Sequence, residues 1–404
     1  MAQRQLTCSR HGGVTIRVRP TDRLDLVRSH LTWRSASSHV RDMGPVRMVS
    51  IGLRAAAGAV AVARLAKAAN PAPPVAPTGV RHESTRTISV VIPARDEATR
   101  IGPLLDAIVG ARGVAEVIVV DDQSTDATAE IARLAGAQVV SGTPLPDGWA
   151  GKAWALQQGI EAATSEWVVT LDADARPDPR LPTAAVARAE ADAFDFLTVG
   201  GRFECPTPST RWLHASMLTT LVYRFGPPGV VTKPQRTMAN GQCMILRRER
   251  FLDAGGMESV AGEVVEDIAL ARRLAGDGWP VGFLDAPDLL TVRMFESIGD
   301  VWTGWGRSLA LPGVEPRSRQ LADLAVIVLA QALPLPRILL RRGDLLDVGL
   351  LAARLGTLAG TRTAYEKTDP AYWLSPLADL ASSTAIARGI ARRGRQTWRG
   401  RTYA

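Results

Sequence analysis

The chain has 404 residues and a formal net charge of +8, which gives room for one large catalytic domain with attachments. That charge sits at the ends: residues 1–47 carry nine Arg against three Asp, and residues 388–401 carry six Arg and no acid, so the body between them is net negative. A negative body excludes a phosphate-tracking surface and with it a nucleic-acid partner, whereas basic ends suit anionic lipid headgroups at a membrane surface.

Taken in chain order, residues 1–47 are Arg- and Ser-rich without an apolar period, and read as a disordered or mis-started leader with Met48 a plausible true beginning. Cys8, in that leader, is one of three cysteines with Cys205 and Cys243. An odd number without CxxC or zinc spacing implies neither a disulfide framework nor a metal knuckle and fits a reduced cytosolic setting. Residues 48–70 are long enough for an N-terminal membrane helix, but Arg54 and a high Ala content leave an interfacial helix open. Residues 71–86, with Pro71, Pro73, Pro74 and Pro77, predict a stiff linker.

From residue 87 the pattern becomes regular. Ser89–Pro93 predicts a strand, Ile101, Leu104, Leu105 and Ile108 a helix, Val117–Val120 a strand, Ile131 and Leu134 a helix, and 138–140 a short strand. Alternation at these lengths means parallel strands with crossover helices. The run Trp167-Val168-Val169 then ends at Asp172 and Asp174 before Pro177. Alternate residues of an extended chain face the same way, so these two carboxylates can converge on one Mg2+ or Mn2+; a solvated strand-to-loop turn is the bland alternative. Residues 212–225 predict a helix whose apolar face packs on the sheet. The tail is apolar in pieces, 321–340, 345–360 and 372–390, interrupted by Asp323, Pro334, Pro336, Asp347, Arg354 and Asp379. Full crossings would place Arg341-Arg342 outside, against the positive-inside tendency, so surface-lying or re-entrant helices fit better.

Four carboxylate sites line up at or just beyond predicted strand ends: Pro93-Ala94-Arg95-Asp96-Glu97, Asp121-Asp122, Asp172 with Asp174, and Glu266-Asp267. This ordered set resembles the family 2 inverting glycosyltransferases. The absence of GxGxxG after a strand argues against a dinucleotide dehydrogenase, and that of GxxxxGK[ST] against a P-loop NTPase.

The resemblance implies an α/β GT-A nucleotide-diphospho-sugar transferase fold, a Rossmann-like, mostly parallel sheet flanked by helices, over 87–318. Its donor half would be 87–200 and its acceptor half 201–318, followed by membrane-associated helices and a basic tail over 319–404. It implies donor contacts from Pro93, Asp96, Glu97, Asp122 and Asp172, with a divalent ion on Asp172 and Asp174. Lys152, at a helix start after Gly151, suits a diphosphate, with a surface lysine as the competing reading. Asp267 would be the general base, since it shares a helix stripe with Leu270, Ala271 and Leu274, while Glu266 points elsewhere and orients a neighbour. Asn240, Gly241 and Gln242 resemble the family's acceptor-side strand, Gly241 allowing close approach to the donor sugar. Asp126 reads as a helix cap and Cys243 as a packed thiol.

Where processive members carry QxxRW, this chain has Val301–Ser308, including Trp305 and Arg307. That favours transfer of a single sugar. Together with the Gly148-Trp149 loop and the closing Thr397–Tyr403 it looks like membrane-associated carotenoid or hopanoid-associated glycosyltransferases. The implied partners are a nucleotide-sugar donor and a membrane lipid or isoprenoid acceptor, at the cell membrane with the catalytic domain facing the cytoplasm. The alternatives are transfer to polyprenyl phosphate or envelope polysaccharide, a nucleotidyltransferase, and a non-catalytic membrane protein retaining the fold.

Overall fold

The computed structural model describes residues 44–69, 71–77, 87–229 and 233–392, with the backbone of a hairpin at 396–398 and 401–403. The predicted leader up to residue 43, residues 78–86 of the predicted linker and most of the Arg-rich terminus lie outside the described residues. Two compact units divide the chain, Met1–Gly52 and Leu53–Ala404. Of the first, only residues 44–52 are described, as the opening of helix α1 (Pro45–Leu65).

In the second unit β1 (Ile88–Ala94), α2 (Gly102–Ile108), β2 (Val114–Asp121), α3 (Thr128–Leu134), β3 (Gln138–Ser141), α4 (Gly151–Ala162) and β4 (Trp167–Leu171) alternate as the sequence predicts. After them come β5 (Ala175–Pro177), α5 (Leu181–Ala191), β6 (Phe196–Gly200), β7 (Arg202–Glu204), α6 (Pro208–Phe225), β8 (Cys243–Arg247), α7 (Arg248–Asp253), α8 (Glu266–Gly276), β9 (Val281–Asp285) and β10 (Leu290–Arg293). The main sheet has the order β3-β2-β1-β4-β8-β6-β9. Its neighbours are parallel except around β8, which runs antiparallel to both β4 and β6. A second sheet, β5-β10-β7, begins directly after Asp174.

Both faces of the main sheet are covered. Val90 and Ile92 of β1 enter one core with Leu104 of α2 and Val186 of α5. Val91 enters the other with Leu156 of α4 and Leu270 of α8. This is the period-2 alternation of a strand buried on both sides. α4 lies so close that a Cβ at Gly159 would stand 2.4 Å from Val91 Cγ1 and 2.8 Å from Val120 Cγ2. Gly159→Ala is expected to destabilise by about 1–3 kcal/mol, more than the roughly 1 kcal/mol that Ala gains over Gly in a helix. A thermal melt checks this, and an unchanged or higher Tm would contradict the packing.

Residues 71–77 are extended, as a Pro-rich linker should be, but they are docked: Val75 is 2% exposed and donates its N–H to Asp285 O at 2.8 Å, beside the edge strand β9. An edge strand has free carbonyls to offer, and this segment uses one.

The C-terminal part comprises α9 (Ile298–Ser308), α10 (Arg317–Val326), a π-helical turn over Ile327–Ala332, α11 (Pro334–Leu339), α12 (Leu345–Thr361), α13 (Pro370–Trp373) and α14 (Asp379–Ala391), with the β11 (Gln396–Trp398) and β12 (Arg401–Tyr403) hairpin. Against expectation, α6 packs chiefly on α9, α13 and α14 rather than on the sheet. Its buried polar residues find partners there: Arg211 pairs with Asp369, and Ser216 Oγ donates to Asp379 Oδ1 at 2.6 Å. The charges that interrupt the tail are buried in interhelix ion pairs, so they join helices instead of breaking them. Arg354 and Asp379, each 1% exposed, meet at 2.9 Å. Asp347 joins Arg54 of α1 at 2.5 Å and Arg337 of α11 at 3.0 Å. Pro45–Leu65 and Arg317–Leu339 each contain an 18-residue window, of mean hydropathy 1.5 and 1.6, that is apolar enough to cross a membrane by length and composition.

Candidate active site

Asp96, Glu97, Asp122, Asp172 and Asp174 stand where a buried strand gives way to a loop, the usual ligand edge of an open α/β sheet, while Glu266 and Asp267 open α8. After β1 the chain turns sharply, with Asp96 at φ 53°, and after β2 it turns again, with Gln123 at φ 58°. These two left-handed residues bring the loops together. Asp96 Oδ1 accepts from the N–H and hydroxyl of Thr125 at 2.7 and 3.1 Å, and the Glu97 N–H donates to Thr128 Oγ1 at 2.8 Å. Asp126 accepts from the N–H groups of Thr128 and Ala98 at 3.0 and 3.1 Å, so it ties both loops rather than capping α3 alone. Asp122 is 4% exposed, and Arg95 Nη1 donates to its carbonyl at 2.7 Å.

Asp172 and Asp174 follow β4. Lys152, in the first turn of α4, places Nζ 2.8 Å from Asp172 Oδ1 and 3.0 Å from Glu266 Oε1. Burial alone would lower the ammonium, but the two carboxylates hold it above its ordinary value. Beside Lys152 the Gly241 N–H donates to Asp267 Oδ2 at 2.7 Å and the Ile268 N–H to Oδ1 at 2.9 Å. A Cβ on Gly241 would lie 3.2 Å from both Asp267 Cβ and Lys152 Nζ, so this glycine is where strand approach meets α8 and the cationic tip of Lys152. Burial, then the charge of Glu266, pushes Asp267 up to about 7, against the pull of Lys152 and the two N–H donors. That places a carboxylate in the range suited to general-base work near neutral pH.

A cavity of about 150 Å³ is lined by Pro93, Glu97, Asp122, Lys152, Asp172 and Asp174, together with Arg95. Asp96 does not line it, because its carboxylate is committed to Thr125. Glu266 is 7% exposed and turned toward Lys152, so it does not point away from the cleft as the helix stripe suggested. In the first turn of a helix two adjacent side chains can both reach forward past its end, which a stripe argument ignores. Asn240 and Gln242 bond each other, Nδ2 to Oε1 at 2.9 Å, and the Gln242 carbonyl accepts from the Asp172 N–H at 3.1 Å, which fixes β8 beside the carboxylates. Trp305 stands apart from the cleft, its ring 4.1 Å from that of buried His214. The side chain of Arg307 lies outside the described residues. Cys243 is fully buried and its thiol is pushed up by burial. Sequence reasoning missed Arg95 and Arg100. Arg100 pairs with Glu97 at 2.8 Å and its charge draws Asp174 down. The arginines flanking Asp96-Glu97 were the available signal.

Burial, then the neighbouring charge of Asp172, raises Asp174. Such a pair of crowded carboxylates fits a divalent ion, which would relieve their repulsion. Among the described residues no set of three His, Cys, Asp or Glu gathers to hold a metal. Two protein carboxylates with the other positions left to phosphate and water is the habit of Mg2+.

Residues 89–255 match the family model described as Glycosyl transferase family 2. The 4,4'-diaponeurosporenoate glycosyltransferase of Staphylococcus aureus (strain USA300) is 42% identical over 251 residues, 56% of this chain and 61% of that relative. The protein of the same description from Staphylococcus haemolyticus (strain JCSC1435) is 27% identical over 237 residues, 57% of this chain and 62% of that relative. The chain thus spans about three-fifths of the length of these curated relatives. Among solved structures, a mannosyltransferase from Pyrobaculum calidifontis in complex with GDP-Man and Mn2+ is 20% identical, with 85% of this chain and 98% of that one covered at a TM-score of 0.49.

Proposed function

We propose that this chain, whose residues 89–255 carry a family 2 glycosyltransferase domain, moves one sugar from a nucleoside-diphosphate donor to a hydrophobic membrane acceptor of the carotenoid or isoprenoid kind, with inversion. The observation that carries the reading is the gathering of Lys152 with Asp172 and Glu266 beside Asp267, which is held by the Gly241 and Ile268 N–H groups, a Cβ on Gly241 lying 3.2 Å from both Lys152 Nζ and Asp267 Cβ.

In this reading Asp122 and Glu97, with Arg95 behind them, hold the nucleoside side of the donor through carboxylate hydrogen bonds. Asp172 and Asp174 would hold a divalent ion, which when bound offsets the charge gathering on the departing diphosphate. Lys152 is placed to shift its ammonium from Asp172 toward that diphosphate while keeping Glu266. Asp267 accepts the proton of the acceptor hydroxyl or carboxyl group as its oxygen bonds to the anomeric carbon and the bond to phosphate breaks. The Gly241 and Ile268 N–H groups keep the carboxylate aimed throughout.

The polyene or related acceptor rests on the similarity to the staphylococcal enzymes. A membrane setting, with the cleft on the cytoplasmic side, is supported by the two long apolar helices and by exposed Leu339, Leu340, Leu345, Trp373, Leu374 and Leu377 near the tail.

The test is a donor screen on the full chain in detergent, reading nucleoside diphosphate release with and without extracted membrane lipid. Release should rise with lipid, stop on chelation of divalent ions and be lost in Asp174→Ala. Release of pyrophosphate would instead indicate a nucleotidyltransferase, and no release or nucleotide binding from any donor would favour a non-catalytic protein.

A further inference from the structure

Along the C-terminal half of α8 lies a second cavity, of about 300 Å³, lined by Gln235, Arg272, Arg273, Val314, Pro316 and Arg319 among others. Among the described residues no acidic side chain lines it. It is backed by an ion-pair network in which, among the described residues, Arg64, Arg224, Arg236 and Arg272 have Asp323 and Glu315 as their carboxylate partners, with backbone carbonyls of Tyr223, Leu309, Arg224, Thr237 and Val314 accepting from them as well. Asp323 takes Arg64 and Arg236 at 2.9 Å each and Arg224 at 3.5 Å, and Glu315 takes Arg236 at 2.8 Å and Arg272 at 2.5 Å. Four guanidinium groups therefore face two carboxylates that are 4% and 0% exposed.

Buried cations in excess of their partners are costly unless another anion completes them. Part of the excess is spread over the Phe225 ring, which lies 4.8, 4.3 and 5.9 Å from the guanidinium carbons of Arg224, Arg236 and Arg272. The remainder is unresolved at Arg272. Its side chain is 9% exposed, and its Nη2 is buried with no hydrogen-bond partner among the described residues. Burial, with the charges of Arg236 and Arg319, holds this guanidinium below its ordinary value despite Glu315. Arg319 and Arg273 add two exposed guanidinium groups at the rim, the latter shared with exposed Asp277 at 2.8 Å.

We propose that this cavity is an anion site, separate from the donor cleft, that takes a phosphate group presented as free phosphate or as a phospholipid headgroup. Arg272, Arg273 and Arg319 line this cavity, Arg272 with Nε and Nη1 held by the Thr237 and Val314 carbonyls and by Glu315 and with Nη2 left over, and guanidinium groups are the donors suited to phosphate. Pro316 and Arg319 place its rim at the start of the apolar stretch Arg317–Leu339, where a headgroup would lie if that stretch entered a bilayer.

The test uses the full chain in detergent at fixed ionic strength. Inorganic phosphate binding is followed by calorimetry, and binding to phosphatidylglycerol against phosphatidylcholine vesicles by flotation. The Arg273→Gln/Arg319→Gln double variant removes two exposed charges, and a melt confirms its fold; Arg319→Gln alone should move the same way. Loss of two charge-assisted contacts is expected to weaken binding at least about tenfold. A loss in the phosphate arm alone assigns the site to free phosphate, and a selective loss on phosphatidylglycerol vesicles assigns it to a headgroup. If neither arm moves with either variant, the proposal is overturned.

Discussion

Asp267→Asn is expected to lower turnover by about 10²–10⁴-fold, the ordinary worth of a positioned general base, while nucleotide-donor affinity stays within a few-fold of the parent. Asn keeps an oxygen to accept from the Gly241 N–H, so the strand and α8 should remain in register and the loss should fall on kcat. The parent should also show a rate that climbs with pH and levels off above about 7, because Asp267 is pushed up to about 7 and must be deprotonated to act. The variant should lose that rise. Steady-state kinetics over pH 5–9 check both parts; full activity in the variant would remove Asp267 from the chemistry, and a pH-independent parent would place the base elsewhere.

The second large effect lies in the tail. Asp379→Ala is expected to destabilise the protein by about 3–5 kcal/mol, since it strands a buried cation. Asp379 accepts from Arg354 Nε and Nη2 at 2.9 and 3.0 Å, from Gln331 Nε2 at 2.9 Å and from Ser216 Oγ at 2.6 Å. One carboxylate thereby joins α6, α12, α14 and the π-helical turn. Replacing both charges, as in Arg354→Met/Asp379→Leu, should restore much of the loss, because two apolar side chains need no partner. Denaturant unfolding of the two variants side by side decides it: a loss under 1 kcal/mol for Asp379→Ala would mean the pair contributes little.

These two predictions mark where the sequence was readable. The place of Asp267 at the start of α8 was legible because strand and helix periods are local, and the four acidic motifs each follow an apolar run. Asp379 was misread because its partner is 25 residues away. A charge in an apolar stretch looks like an interruption until the partner across the helix interface is known, and no local pattern supplies that. The same limit explains Glu266 and Lys152: their types and places were evident, but that Lys152 bridges Glu266 and Asp172 depends on how α4, α8 and β4 meet. Asp96 shows the converse, a motif residue drawn off by a loop turn at positive φ that the sequence did not declare. The docking of residues 71–77 was hidden because proline content reports stiffness, not destination.

The antiparallel strand β8 has a consequence for how the molecule is assembled. β6 hydrogen-bonds only to β8 and β9 in the main sheet, and both are made after it. The β1–β4 half can close on itself as it leaves the ribosome, whereas the apolar Phe196–Val199 segment waits for residues 243–247 to arrive and wedge between it and β4. The pairing of β8 beside the Asp172 end of β4 is thus a late event in the birth of the chain. In that interval the nascent protein presents an unpaired, hydrophobic edge to chaperones or to a nearby membrane.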